Sequence, residues 1–391
     1  MEQYGGTGRR LERRERREAA PEAGFAGWEA QPARSLSVIS FARGAPAPEC
    51  LAVELIADCA RAAVEADPTV LAYGPGGGYP PLREWLAARH GVEPGRIVLT
   101  SGGLQGIAFW FEEVLAERPG RVLVEAPTYD RPLKQLARLG AEVAALPMDD
   151  EGLDPEALER ELAAGGVSFL YTIPTFQNPS GRTLSTERRR RLVELATAHG
   201  VPVLEDDPYG LVRYEGEAPP SLHELEGGEL VTYASSFSKT VAPGIRVGWF
   251  VLPAGLAARI EARAVETYIS PPFLTEATVY ELARREAFEP NVERIRGLLR
   301  TRRDAMLGAL ERDLSGSASW SRPEGGYFLW VDLPADAGEL LTRSEAAGVT
   351  FVKGADFYPA GAGGAQAARL AFSYASPSEI DEGISVLASL L

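Results

Sequence analysis

The sequence predicts an α/β fold: a large domain on a mainly parallel mixed sheet, and a smaller α+β domain. Three observations carry this expectation. From Gly91 onward short apolar runs recur, separated mostly by stretches with helical patterning. Five of these runs lead into loops rich in Gly, Ser, Asn, Asp and Tyr, where open α/β sheets bind ligands. After Phe288 the texture changes to a long Arg-rich amphipathic segment followed by short strand-like runs.

Taken in order, the opening MEQYGGTGRRLERRERREAAPEAG is charge-dense and almost free of aliphatic residues, so residues 1–33 read as a flexible tail. Residues 34–72 read as an N-terminal segment contributing to the small domain, 73–287 as the large domain and 288–391 as the C-terminal small domain. The large domain's expected strands are RIVLT (96–100), RVLVEAP (121–127), VSFLYTIP (167–174), VPVLEDDP (201–208), LVTYASS (230–236) and VGWFVLP (247–253). STERRRRLVELATAHG shows how they are joined: Ser185 and Thr186 open a helix, Glu187 suits its positive end, and Gly200 closes it. The small domain is expected from NVERIRGLLRTRRDAMLGALERDL, then GGYFLWVDLP, GVTFVKGADFYPAG and ARLAFSY.

Composition bounds the function. A net charge of −15 over 391 residues argues against nucleic acid or an anionic membrane as partner. Cys50 and Cys59 form no CxxC pair and have no histidine cluster nearby, which fits two buried thiols in a reducing cytoplasm rather than a zinc site or disulfide framework. No apolar run approaches the roughly 20 residues a membrane helix needs. His90, His199 and His223 are scattered, supporting neither a triad nor a metal site. The glycine-rich Tyr73–Gly78 stretch lacks the preceding strand of a dinucleotide loop.

The loops after the apolar runs are TSGGLQG, APTYD, IPTFQNPSG, EDDPY and SSFSK. A lysine among strand-end loops can condense with a carbonyl, and an electron-sink cofactor would supply one. Pyridoxal phosphate requires an amine, an acid for its ring nitrogen, donors to its phenolate, an aromatic face and a phosphate cup. Lys239, the carboxylates of VLEDDPY, Asn178 with Tyr209, Tyr129, and the TSGG amides with Ser236, Ser238 and Arg246 offer these in turn.

At these residues the chain resembles a fold type I pyridoxal-phosphate enzyme of the class I/II aminotransferases. It is most similar to the 2-aminoadipate and kynurenine aminotransferase-like branch that also supplies the effector domain of MocR regulators. The resemblance spans roughly residues 34–391, through SVISFARGAPAPE, YGPGGGYPPLREWL, TFQNPSG, EDDPYG, SSFSKTVAPGIRVG, RPEGGYFLW and ARLAFSY. It implies that Lys239 forms the internal aldimine and moves the α-proton, that Asp206 pairs with the pyridine nitrogen, and that Asp207 points away. It implies a stacking Tyr129, ring-oxygen donors Asn178 and Tyr209, and a phosphate cup of Gly103, Leu104, Ser236, Ser238 and Arg246. Arg369 matches the arginine that grips the substrate α-carboxylate, Gly44 lies near the substrate, and Tyr73 matches a tyrosine that enters the neighbouring subunit's site in a homodimer. One departure is Gly103, where relatives commonly have serine. A MocR-type regulator would need a winged-helix domain ahead of this body, and only about 30 residues precede it. The expectation is an aminotransferase moving an amino group from an L-amino acid to a 2-oxo acid such as 2-oxoglutarate. A lyase, oxidase or cyclase on the same cofactor remains the alternative.

Overall fold

The structure is a computed structural model that describes residues 38–391. The expected tail, residues 1–33, lies outside the described residues, as do residues 34–37. Strand β1 (Ile39–Ser40) opens the described chain. Eight further strands follow: β2 (Ile97–Thr100), β3 (Arg121–Ala126), β4 (Val143–Asp149), β5 (Gly152–Leu153), β6 (Val167–Thr172), β7 (Val203–Asp206), β8 (Val231–Ser236) and β9 (Gly248–Val251). They build one sheet in the order β2-β9-β8-β7-β6-β3-β4-β5. From β4 through β3, β6 and β7 to β8 the pairing is parallel, whereas β9 runs antiparallel to β8 and β2, and β5 antiparallel to β4.

All six apolar runs read between residues 96 and 253 form strands of this sheet. Each residue of β6, β7 and β8 is buried, which is why these strands read as continuous runs rather than as alternating patterns. The sequence reading missed β4, because this strand carries Pro147 and has only one fully buried position, Leu146. Its apolar signal is correspondingly diluted.

Helices pack on the sheet through large apolar side chains. The Gly103–Glu117 helix brings Trp110 and Phe111 against Phe169 of β6, with Trp110 meeting Phe169 edge-on at 4.8 Å between ring centroids. The crossover helix Thr186–His199 has the expected ends: Ser185 accepts from Arg188 N, and Gly200 stops the helix in the left-handed region at φ 58°.

A 27-residue helix, Phe288–Leu314, leads into the C-terminal part. There β10 (Ser319–Trp320), β11 (Phe328–Asp332), β13 (Val352–Lys353) and β14 (Ala367–Ala371) form an antiparallel sheet in the order β10-β11-β14-β13. Between them β12 (Val349–Thr350) pairs in parallel with β1. Phe41, Leu310, Tyr327, Phe372 and Ile384 form part of the fully buried core beneath. The fold thus holds Arg369, on β14, between Trp330 of β11 and Val352 of β13.

Gly200 offers a clean test of the helix stop. A Cβ there would meet nothing within 4 Å, so Gly200→Ala isolates the backbone cost of positive φ. The expected result is a loss of about 1 kcal/mol in denaturant unfolding with unchanged activity; unchanged stability would contradict the assigned helix end.

Candidate active site

Because β3, β6, β7 and β8 run parallel, the loops that follow them emerge on one edge. A cavity of about 230 Å³ lies there, lined by Gly103, Leu104, Tyr129, Asn178, Asp206, Tyr209, Ser236, Ser238, Lys239 and Arg246. Cavities of about 510 and 470 Å³ elsewhere are larger, but neither contains a lysine. Chemistry rather than volume singles out the smaller one.

The sequence contains three lysines. Lys134 pairs with Asp130 and Lys353 with Asp356, both with exposed side chains. Lys239 differs. It sits in the turn after β8, its Nζ donates to the Gly44 carbonyl at 2.8 Å, and it faces the rings of Tyr327 and Tyr209 at 5.0 and 5.7 Å. Burial, reinforced by the positive charges of Arg369 and Arg246, lowers its pKa to about 8.

Asp206 closes β7 at the cavity floor. The Tyr171 hydroxyl donates to its Oδ2 at 2.7 Å, and burial pushes its pKa up to about 7, with Asp207 and Glu125 adding to the rise. Asp207 is engaged in the turn, where its Oδ1 accepts from Gly210 N and its Oδ2 from the Tyr233 hydroxyl. The two adjacent aspartates therefore have separate surroundings.

One end of the cavity is built for an anion. The Gly103–Glu117 helix begins there, presenting unpaired backbone amides. Ser236 and Ser238 join through their hydroxyls at 2.8 Å, and Arg246, at φ 52°, donates to the carbonyls of Ser101 and Pro243. Gly102, at φ 86°, permits this approach, since a Cβ there would lie 2.1 Å from Arg246 Nη2.

Beside the cavity, Arg369 is 7% exposed and donates to Asn178 Oδ1 at 3.0 Å and to the Ala42 carbonyl at 2.7 Å. Among the described residues its buried Nε has no partner, and the guanidinium lies over the rings of Phe328 and Phe357 at 4.3 and 5.0 Å. Burial lowers its pKa to about 10. Gly44 packs so closely that a Cβ would lie 2.6 Å from Phe328. Tyr129, at the start of the Asp130–Arg138 helix, is raised to about 12 by burial, and burial raises Tyr209 further. Among the sequence-predicted residues only Tyr73 stands apart, 80% exposed on the surface.

Sequence reasoning missed two contributors. Tyr171 holds Asp206, and the Tyr327 hydroxyl donates to the backbone carbonyl of Lys239 at 3.1 Å. A signal for Tyr171 was present: a phenol inside a strand buried on both faces must find an acceptor.

The family model for aminotransferase class I and II matches residues 38–387. The chain is 34% identical over 367 residues to aromatic-amino-acid aminotransferase 1 of Thermococcus litoralis, covering 90% of this chain and 88% of that one. It superposes with a TM-score of 0.86 on LysN, an α-aminoadipate aminotransferase from Thermus thermophilus complexed with N-(5'-phosphopyridoxyl)-L-leucine, at 34% identity over 91% of this chain and 92% of that one. Kynurenine aminotransferase from Pyrococcus horikoshii, in complex with PMP, matches at 0.86 and 35% identity over 91% of each chain. The chain belongs to the class I and II aminotransferase family, and is a pyridoxal-phosphate-dependent enzyme of fold type I that transfers amino groups.

Proposed function

We propose that Lys239 is the amine that binds the cofactor and carries the α-proton, in a cytoplasmic homodimer that exchanges amino groups between an L-amino acid and 2-oxoglutarate. The observation that supports this most is the charge arrangement. Among the described residues, Lys239, Arg246 and Arg369 converge on the cavity with only carbonyl and amide oxygens as hydrogen-bond partners, while a single carboxylate, Asp206, lines its wall. Arg369 is buried and Lys239 half-buried while Arg246 is exposed at the rim, and cations without counter-ions at such depth call for an anionic ligand.

The residues fit pyridoxal phosphate. Its phosphate would take the amides of Gly103 and Leu104, the hydroxyls of Ser236 and Ser238, and Arg246. Gly103 brings no hydroxyl, and the helix start with the two serines compensates. Asp206 would hold the protonated ring nitrogen, Tyr129 would cover one face, and Asn178 and Tyr209 would donate to the ring oxygen. When bound, the cofactor supplies an aldehyde for an amine and a ring that stabilises negative charge at the substrate Cα. Lys239, with a pKa of about 8, is partly neutral near physiological pH and can take a proton from Cα and return it. Arg369 would exchange the Ala42 carbonyl for the substrate α-carboxylate, giving its orphaned Nε a partner. That exchange moves Phe41–Ala45, so this segment is the proposed side-chain selector. The relatives' names span aromatic, α-aminoadipate and kynurenine substrates, in keeping with selection by a local segment rather than by the shared core. Tyr73 is proposed to complete the neighbouring subunit's site, which would cover its exposed ring. The two buried free thiols suit a reducing compartment, and no helix among the described residues is long and apolar enough to cross a membrane.

Loading, substrate binding and subunit mixing each test this reading. Loading of the cofactor-free protein requires neutral Lys239, so its rate should rise with pH and level off above about 8. Arg369→Ala removes a repelling charge and should move that midpoint upward, toward the ordinary lysine value of about 10.4. A midpoint already near that value in the unaltered protein would contradict the assignment. Lys239→Ala should abolish the absorbance band of the covalently held cofactor.

Arg369→Ala should also weaken amino-acid binding by at least about a hundredfold through loss of two charge-assisted bonds, with cofactor affinity barely altered. Equal loss of both affinities would place Arg369 elsewhere in the reaction.

Mixing Tyr73→Phe with Arg369→Ala subunits addresses the dimer. With subunit exchange verified, hybrids should contain one doubly altered site and one unaltered site, so activity should exceed the sum of the separate variants. Simple averaging would mean that Tyr73 serves its own chain or that no such dimer forms.

A further inference from the structure

Tyr171 lies on β6 beside β7, with Tyr171 in register with Leu204 and Thr172 with Glu205. Its side chain is wholly buried, and its ring stands edge-on to Phe111 at 5.8 Å. At that depth a phenol needs an acceptor, and the Asp206 carboxylate is the acceptor it finds. Among the described residues no other group donates to Asp206, so Oδ2 is fixed and Oδ1 is left for the cavity that Asp206 lines. The other nearby acid, Glu125, does not compete for this proton, because its oxygens accept from Thr172 Oγ1, Ile173 N and Gln177 Nε2.

We propose that Tyr171 is a positioning residue for the cofactor's ring: its phenol orients Asp206 and favours the ionised form of that carboxylate, so that its other oxygen faces the ring nitrogen. The proposal rests on the assignment of Asp206 made above.

The groups around Asp206 show why this single bond matters. Asp207 follows just past the end of β7, Glu125 approaches from β3, Tyr129 from the start of the Asp130–Arg138 helix, and Tyr209 from the loop after β7. Burial and the two acids all favour the protonated form of Asp206, and together they bring its pKa to about 7; the Tyr171 hydrogen bond is the one influence acting the other way. The carboxyl is therefore poised at neutral pH. Without the donor its pKa rises, the neutral acid predominates, and a neutral acid cannot hold a protonated ring nitrogen. The sign follows: the defect is largest near neutral pH and shrinks as higher pH ionises Asp206 again.

The test compares Tyr171→Phe with Asp206→Asn, measuring cofactor affinity and the absorbance of the bound cofactor across pH, each as a ratio to the unaltered protein. Phe keeps the packing against Phe111, and melting of the cofactor-free proteins controls for folding. Tyr171→Phe is expected to bind the cofactor about tenfold more weakly near neutral pH, with the ratio closing at higher pH, whereas Asp206→Asn should be impaired at every pH. Fluorotyrosine at position 171, a stronger donor of nearly the same shape, should shift the titration in the opposite direction. If Tyr171→Phe matches the unaltered protein, or is impaired equally at all pH, the positioning role falls while the Asp206 assignment stands. If Asp206→Asn also binds and titrates normally, the Asp206 assignment falls too, and the Tyr171 proposal with it.

Discussion

The parallel alignment of β3, β6, β7 and β8 is the constraint on which the site depends. Parallel strands end on the same side, so the segments carrying Tyr129, Asn178, Asp206 and Lys239 meet at one edge although they span more than a hundred residues of sequence. The strand β9, running the other way, returns the chain to β2 and brings Arg246, just before it, to the start of the Gly103–Glu117 helix. The antiparallel C-terminal sheet supplies Arg369 from β14. Each functional group thus rests on, or within a few residues of, a regular element that holds it in place.

What those elements hold is energetically unfavourable in isolation. Two cations and a carboxylate sit in or beside a small cavity with pKa values displaced toward neutrality: Lys239 to about 8, Arg369 to about 10 and Asp206 to about 7. Burial is the largest cause in each case. Charges placed so are stabilised by a ligand of complementary charge, which makes binding of a phosphate-bearing cofactor and a carboxylate-bearing substrate a relief of strain already present in the protein. The carbonyls of Ala42 and Gly44 fill part of that role in this structure, and they belong to the segment proposed to move.

Legibility in the sequence followed burial and chemistry. Strands β6 to β8 were readable because both faces are covered; β4 was not, because Pro147 and its half-exposed residues blur the pattern. Lys239, the carboxylates of VLEDDPY and the serines stand out as candidates because strand-end loops concentrate polar residues that packing does not require, while the choice of Asp206 over Asp207 came from resemblance. Gly44 and Arg369 came from resemblance, since a glycine before an alanine-proline turn and an arginine at the start of an apolar run have no distinguishing signature alone. Nothing in the run VSFLYTIP marks Tyr171 out from its apolar neighbours, and the partner of its hydroxyl is visible only once β6 and β7 are paired. Tyr73 is exposed on the single chain, and the role proposed for it would require a second copy.

The central claim is that Lys239 alone among the three lysines holds the cofactor. Borohydride reduction of the loaded protein, followed by digestion and mass mapping, tests it directly, since reduction fixes the cofactor to the lysine that carries it. The account expects the phosphopyridoxyl mass on the peptide containing SSFSK and on no other. Label on Lys134 or Lys353, with Lys239 unmodified, would contradict it.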